Sequence, residues 1–304
     1  MRLFLSIILI AYTPLFLIGQ PNPVELGSVH WLRSYDDAVQ KSKAESKPIL
    51  IVFQEIPGCQ TCRSYGSDVL THPLLVEAIE SEFIPLAIYN NKGGADGEVL
   101  KKFNEPSWNN PVVRIVDTHG KDIITRLNAN YTAAGLASAM TQAIIRNKGK
   151  APAYLQLLSD ELSARQKGTK EATYSMYCFW TGEALFGKVN GVIQTSAGFQ
   201  NGKEVVVVDY DPSLISLAKL NEIAGNHQCN TVAGGSFKPD NTPKYHLSNS
   251  KYKTVPMTEL QKCRVNSALA EGLDPKEYLS QRQLAYLHKT PVKNRVSMEL
   301  TQAW

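Results

Sequence analysis

Apolar residues along this chain fall into short runs separated by polar turns, and these alternate with stretches spaced for helices. Residues 31–47 carry helical spacing and are stopped by Pro48. Residues 48–53 (Pro-Ile-Leu-Ile-Val-Phe) form a β-branched run that predicts a buried strand. Cys59-Gln60-Thr61-Cys62 follows at once, and helix-compatible sequence continues from Arg63 through residues 74–79. Residues 83–89 predict a second strand, 111–116 a third, 117–120 a turn, 122–127 a fourth strand and 133–145 a closing helix.

Residues 147–152 read as a linker, and 154–166 have leucines at helical spacing. Residues 172–177 predict a strand that runs into Cys178, and 204–210 another. Residues 258–270 are helical in pattern, and 273–304 are partly helical with a polar tail to which no chemistry is assigned. These segments predict an α/β protein of two α/β domains: residues 28–148, then a linker and helix over 149–170, then residues 171–304.

The N-terminus has Arg2, an apolar run broken by Pro14, and Gly19-Gln20 before a polar stretch. This reads as a cleavable signal peptide over residues 1–19, which implies an exported protein, periplasmic or secreted. The alternative is an uncleaved anchor, since the run approaches spanning length. Pro14 and Gly19-Gln20 favour cleavage, so no stable membrane anchor is expected.

The net charge is +4, and removing Arg2 with the leader leaves 4 − 1 = +3. With the lysines scattered, that excludes an electrostatic case for nucleic acid. The five cysteines are an odd number, so an exported chain keeps at least one thiol free or exchanging partners.

Cys59 and Cys62 sit where a strand meets a helix. There the unpaired N–H groups of the first helical turn stabilise a thiolate. Strand, CxxC, helix and the strand-opening Pro111 occur in an order that resembles the thioredoxin family. The resemblance implies a thioredoxin-like fold, a redox-active Cys59/Cys62 pair and a cis Pro111 facing it as part of the substrate surface. Gly58 and Gln60-Thr61 depart from the family's usual residues. The buried acid that assists proton transfer there would fall near Val52, with Glu55 the nearest carboxylate in sequence. A zinc half-site is the other reading of CxxC. With no second CxxC or close His pair in the sequence, no metal is expected, and no cofactor.

Cys178-Phe179-Trp180 and residues 183–186, Gly191-Val192, Gly198-Phe199, residues 204–212, Asn226-His227 and residues 240–245 follow one another in an order that resembles the peptide methionine-S-sulfoxide reductase family. The resemblance implies an α+β sandwich acting on oxidised methionine in peptides or proteins. By that resemblance Cys178 is the nucleophile, Glu204 the proton donor, Tyr245 a hydrogen-bond donor to the sulfoxide oxygen, and Asp240 an orienting group. Phe179 and Trp180 hold the substrate methyl group. Cys229, or in second place Cys263, resolves the oxidised Cys178. Cys59 and Cys62 then recycle the enzyme, drawing on an upstream thiol reductant the sequence does not name. Tyr177 and Thr181 replace glycines of the family motif, and the loop between Phe199 and Glu204 is shorter than in the family. The alternative is a thioredoxin-like disulfide reductase or isomerase whose second domain only binds peptide.

Overall fold

The computed structural model describes residues 22–289 and Leu300. The signal-peptide reading over residues 1–19 lies outside the described residues, as does most of the polar tail. The chain is mixed α/β, with two sheets.

In the first half α1 (Tyr35–Glu45) starts at Ser34, whose side chain accepts the N–H of Asp37. β1 (Ile49–Gln54) follows and is buried throughout. α2 (Gln60–Ser64) continues into a π-helical turn over Tyr65–Val69, and α3 (Pro73–Glu82) begins with its proline where no N–H is needed. These helices are the crossover to β2 (Ile84–Tyr89), which pairs with β1 in parallel. After α4 (Gly94–Phe103), β3 (Val112–Val116) pairs antiparallel with β1, and β4 (Leu127–Asn128) covers its outer edge. The sheet order is β2-β1-β3-β4.

The period-2 alternation of β1 decides the layers. Leu50 and Val52 join one core with Leu75 and Ile79 of α3 and with α5 (Ala133–Lys148). Ile49, Ile51 and Phe53 join the other, with Ala38 of α1 and Phe103 of α4. Both faces are therefore covered, which is why β1 reads as a continuous apolar run.

The region 122–127 is not the regular strand that its pattern predicts. Asp122 makes only an isolated bridge to Val116, and pairing resumes at Leu127. Arg114 reaches across to Asp122 and to the buried Glu105, so side-chain pairing holds the chain where a ladder was expected.

α6 (Ala153–Lys167) leads to the second half, and its Tyr154, Leu155 and Leu158 pack into the first half's core. The second sheet contains β5 (Lys170–Ser175), β6 (Val192–Gln200), β7 (Lys203–Tyr210), β8 (Asn230–Thr231) and β9 (Lys238–Pro239), in the order β8-β5-β7-β6-β9 and antiparallel throughout. β5 ends at Ser175; Met176, expected to continue it, keeps one backbone bond to Glu204 O at 3.2 Å, and Tyr177 lies beyond the strand.

α7 (Phe179–Gly187) and α8 (Leu217–Asn226) add Phe186, Leu220 and Ala224 to a core with Tyr174, Val206 and Val208. The short α9 (Tyr245–Ser248) is followed by α10 (Glu259–Ala270), which is fixed by a capping box of Thr258 and Gln261. α11 (Gln281–Lys289) returns to the first half. There Glu77 of α3, buried, accepts Ser280 Oγ at 2.6 Å and the Arg282 N–H at 2.8 Å. No described helix is long and apolar enough to cross a membrane.

Candidate active site: two thiol centres

At the first centre, Cys59 is the N-cap of α2 and Cys62 lies one turn on. Cys59 is exposed, Cys62 is 0% exposed, and their sulfurs are 3.9 Å apart with no disulfide between them. The Cys62 backbone N–H beside the Cys59 sulfur holds its pKa below the ordinary thiol value, outweighing slight desolvation. Burial pushes the Cys62 thiol up to about 12. Cys62 Sγ donates to Asn110 Oδ1 at 2.7 Å, and the Asn110–Pro111 peptide is cis, with Pro111 buried. The pair is thus asymmetric: an outer sulfur poised as thiolate and an inner one held as thiol. That is the chemical requirement for attack by the first sulfur and release by the second. Trp108, 80% exposed, stands two residues before Asn110.

At the second centre, Cys178 is the half-buried N-cap of α7. Gly182 leaves room for the Met176 side chain against α7, since a Cβ there would lie 2.0 Å from Met176 Sδ. Glu204 Oε2 accepts the Phe179 N–H at 3.0 Å, which places a carboxylate beside the amide that follows Cys178.

The β6–β7 hairpin sets this position. Asn201 and Gly202 both have positive φ, 53° and 73°, making a two-residue turn that puts Phe199 opposite Glu204. The Asn-Gly pair between two strand patterns is the sequence signal for this turn. The shortened loop therefore closes as a regular hairpin.

Aromatic rings build the neighbouring wall. Phe179 stacks on Trp180 at 5.5 Å and tilts against Phe199 at 5.2 Å. Trp180 stacks on Tyr245 at 4.1 Å and donates its indole N–H to Asp240 at 3.0 Å. Glu183, which the sequence marks only as a family-matching helix residue, is fully buried and holds this wall together. It accepts the N–H groups of Ala197 (3.2 Å) and Lys244 (2.8 Å) and pairs with Lys244 Nζ at 3.5 Å. Through those bonds α7, β6 and the start of α9 are tied, which fixes Tyr245 beside Trp180.

A cavity of ≈ 420 Å³ runs along α7 on another side of Cys178, lined by Cys178, Met176, Tyr177, Leu185, His227 and Cys229 among others. Glu204, Trp180, Asp240 and Tyr245 do not line it. Cys229 is buried, and burial raises its pKa. Cys263 lies elsewhere, fully buried against Thr195 and Ile193. Tyr177, which replaces a glycine of the family motif, is 99% exposed, and Cys178 beside it is half-buried.

A family model described as thioredoxin-like matches residues 30–118. Residues 30–118 form a thioredoxin-like domain. Curated relatives are peptide methionine sulfoxide reductases. The Drosophila melanogaster protein is 35% identical over 69 residues, 18% of this chain and 28% of that protein. The Methanococcus maripaludis (strain C6) protein is 34% identical over 76 residues, 19% and 48% of the two chains. Peptide methionine sulfoxide reductase A5 of Arabidopsis thaliana is 30% identical over 93 residues, 26% and 37%. The chain therefore spans between about a quarter and a half of the length of these relatives. Among solved structures, a DsbH oxidoreductase aligns at 18% identity and a TM-score of 0.34, covering 42% of this chain and 92% of that one. The chain thus joins a thioredoxin-like domain to a stretch homologous to methionine sulfoxide reductases.

Proposed function

We propose that this protein is an exported, thiol-dependent peptide-methionine (S)-S-oxide reductase that carries its own reducing domain. The observation that supports it most is the grouping at the start of α7. There Cys178 caps the helix, the Glu204 carboxyl of β7 accepts the next amide, and the rings of Phe179, Trp180 and Tyr245 from α7 and α9 stack into a wall that begins at the residue after Cys178. A sulfoxide needs this combination, because its S–O bond breaks only if oxygen gains a proton as a thiolate attacks sulfur.

In the proposed cycle the Cys178 thiolate attacks the sulfoxide sulfur and Glu204 gives a proton to the oxygen. Oxygen then passes to Cys178 as a sulfenic acid, and the methionine thioether is released. The Tyr245 hydroxyl steadies the oxygen, and Asp240 holds the Trp180 indole against the methyl group. Cys229 attacks the sulfenic acid, releasing water and forming the Cys178–Cys229 disulfide. Cys59 attacks that disulfide, and Cys62 displaces the mixed bond, leaving Cys178 and Cys229 reduced and the CxxC pair oxidised. An external thiol reductant restores the pair. Placing the reductant on the same chain raises its effective concentration. Cys263, sealed beneath β6, takes no part.

The second reading is a thioredoxin-like disulfide reductase with a peptide-binding partner domain. The asymmetry of Cys59 and Cys62 favours disulfide chemistry in either case. The test is turnover of a methionine sulfoxide peptide, each epimer separately, with dithiothreitol. Turnover of the S epimer that is lost in Cys178→Ser supports the proposal. Insulin reduction that survives Cys178→Ser and is lost in Cys59→Ser, with no sulfoxide turnover, selects the second reading.

A further inference from the structure

The sequence argued against a metal because CxxC stands without a second ligand pair. The fold supplies another ligand from an unexpected place. β1 ends at Gln54, and the chain turns back through Ile56, Pro57 and Gly58, so that Glu55 faces the sulfurs. A carboxylate oxygen of Glu55 and the sulfurs of Cys59 and Cys62 all lie within 4.8 Å of one another. Gly58 makes the turn possible. A Cβ there would sit 2.3 Å from Glu55 O and 2.7 Å from Cys62 Cβ, so any larger residue would push the two ligands apart.

We propose that the reduced Cys59–Cys62 pair and Glu55 form a three-ligand site for a thiophilic divalent cation, Zn²⁺, with its fourth position open to solvent. Two thiolates at about 2.3 Å from a tetrahedral zinc stand about 3.8 Å apart; the sulfurs here are 3.9 Å apart. A thiolate and a carboxylate oxygen on such an ion stand about 3.6 Å apart, so Glu55 completes the site with a side-chain shift of about 1 Å. Cys59 is exposed and gives the ion a path in, while Cys62 forms the inner wall.

The surroundings suit a bound state. The side-chain amide of Asn110, already against Cys62 Sγ, offers a donor to that sulfur once its proton is gone. Glu25, buried, holds the turn by accepting the Gly58 N–H at 2.9 Å.

Binding of Zn²⁺ to the two sulfurs displaces whichever thiol protons they still carry, that of Cys62 above all, and involves no electron transfer. Zinc and the disulfide are thus mutually exclusive occupants of one centre, and the metal withholds the reduced pair from exchange. This inference does not rest on the sulfoxide chemistry.

The experiment titrates the full reduced, metal-free chain with ZnCl₂ against a chromophoric chelator, and with Co²⁺ to read thiolate ligation from its charge-transfer absorption. One equivalent bound is expected, retained in Cys178→Ser/Cys229→Ser and lost when the CxxC pair is oxidised. Cys59→Ser, at an exposed position that leaves the fold intact, weakens binding at least a hundredfold, and Glu55→Gln weakens it about tenfold. Absence of stoichiometric binding by the reduced chain, or binding indifferent to Cys59→Ser, overturns the site. An unchanged affinity in Glu55→Gln overturns the three-ligand assignment.

Discussion

Glu204 accepts the backbone N–H of Phe179 at 3.0 Å, so the carboxyl proposed as proton donor is anchored to the residue after Cys178. Replacing Glu204 with Gln keeps an acceptor for that amide but removes the transferable proton. Sulfoxide turnover is expected to fall by about 10²–10³. Alkylation of Cys178, followed by mass spectrometry, stays within about twofold of wild type, because the sulfur and its helix are untouched.

The indole bond from Trp180 to Asp240 carries a second prediction. Asp240→Ala frees the indole from its place against Tyr245 without altering either reacting group. The expected signature is a KM raised about tenfold, from roughly 1.5 kcal/mol of lost charge-assisted hydrogen bonding, with kcat changed less. A fall in kcat at constant KM would assign Asp240 to the chemical step instead.

At the thioredoxin-like domain, the two sulfurs should label in a fixed order. Cys59 has its pKa lowered by the Cys62 amide and is the thiolate above that lowered value, so its iodoacetamide reactivity already rises below the ordinary thiol range near pH 8.5. Cys62, buried and pushed up to about 12, stays unlabelled through pH 9. Peptide mapping after alkylation from pH 5 to pH 9 reads both. Faster labelling of Cys62 would contradict the assignment of outer and inner sulfurs.

Glu77 joins the halves. Its carboxylate receives Ser280 Oγ and the Arg282 N–H in a buried setting. Glu77→Ala leaves those donors without an acceptor, at a cost of about 2–4 kcal/mol. The expected outcome is a lower thermal midpoint and faster proteolysis near residues 280–289, with the rate of Cys59 alkylation unchanged.

Much of the fold was legible because its signals are local. The run from Ile49 to Phe53 could only be a strand buried on both faces, and cysteines at residues 59 and 178 both fall where a strand gives way to a helix. Residues 122–127 misled because their apolar pattern is that of a strand, whereas Arg114 binds Asp122 from the side and the ladder is interrupted. Around Cys178 the sequence supplied the residue types but not the scaffolding. The Glu183–Lys244 pair acts across 61 residues of chain and leaves no periodic trace. In the sequence Glu55 is marked only by its closeness to the CxxC motif. What brings its carboxylate to the sulfurs is a turn whose tight packing at Gly58 is invisible in residue spacing.

Single-turnover chemistry isolates the proposed role of Cys178 from that of the Cys59/Cys62 pair. Reduced Cys59→Ser/Cys62→Ser protein would be mixed with a peptide carrying either sulfoxide epimer, with no added reductant, and then analysed for methionine and for disulfides. One methionine per chain is expected from the S epimer, none from the R epimer, with a Cys178–Cys229 disulfide in the product. No methionine from either epimer, or the same yield after Cys178→Ser is added, would contradict it.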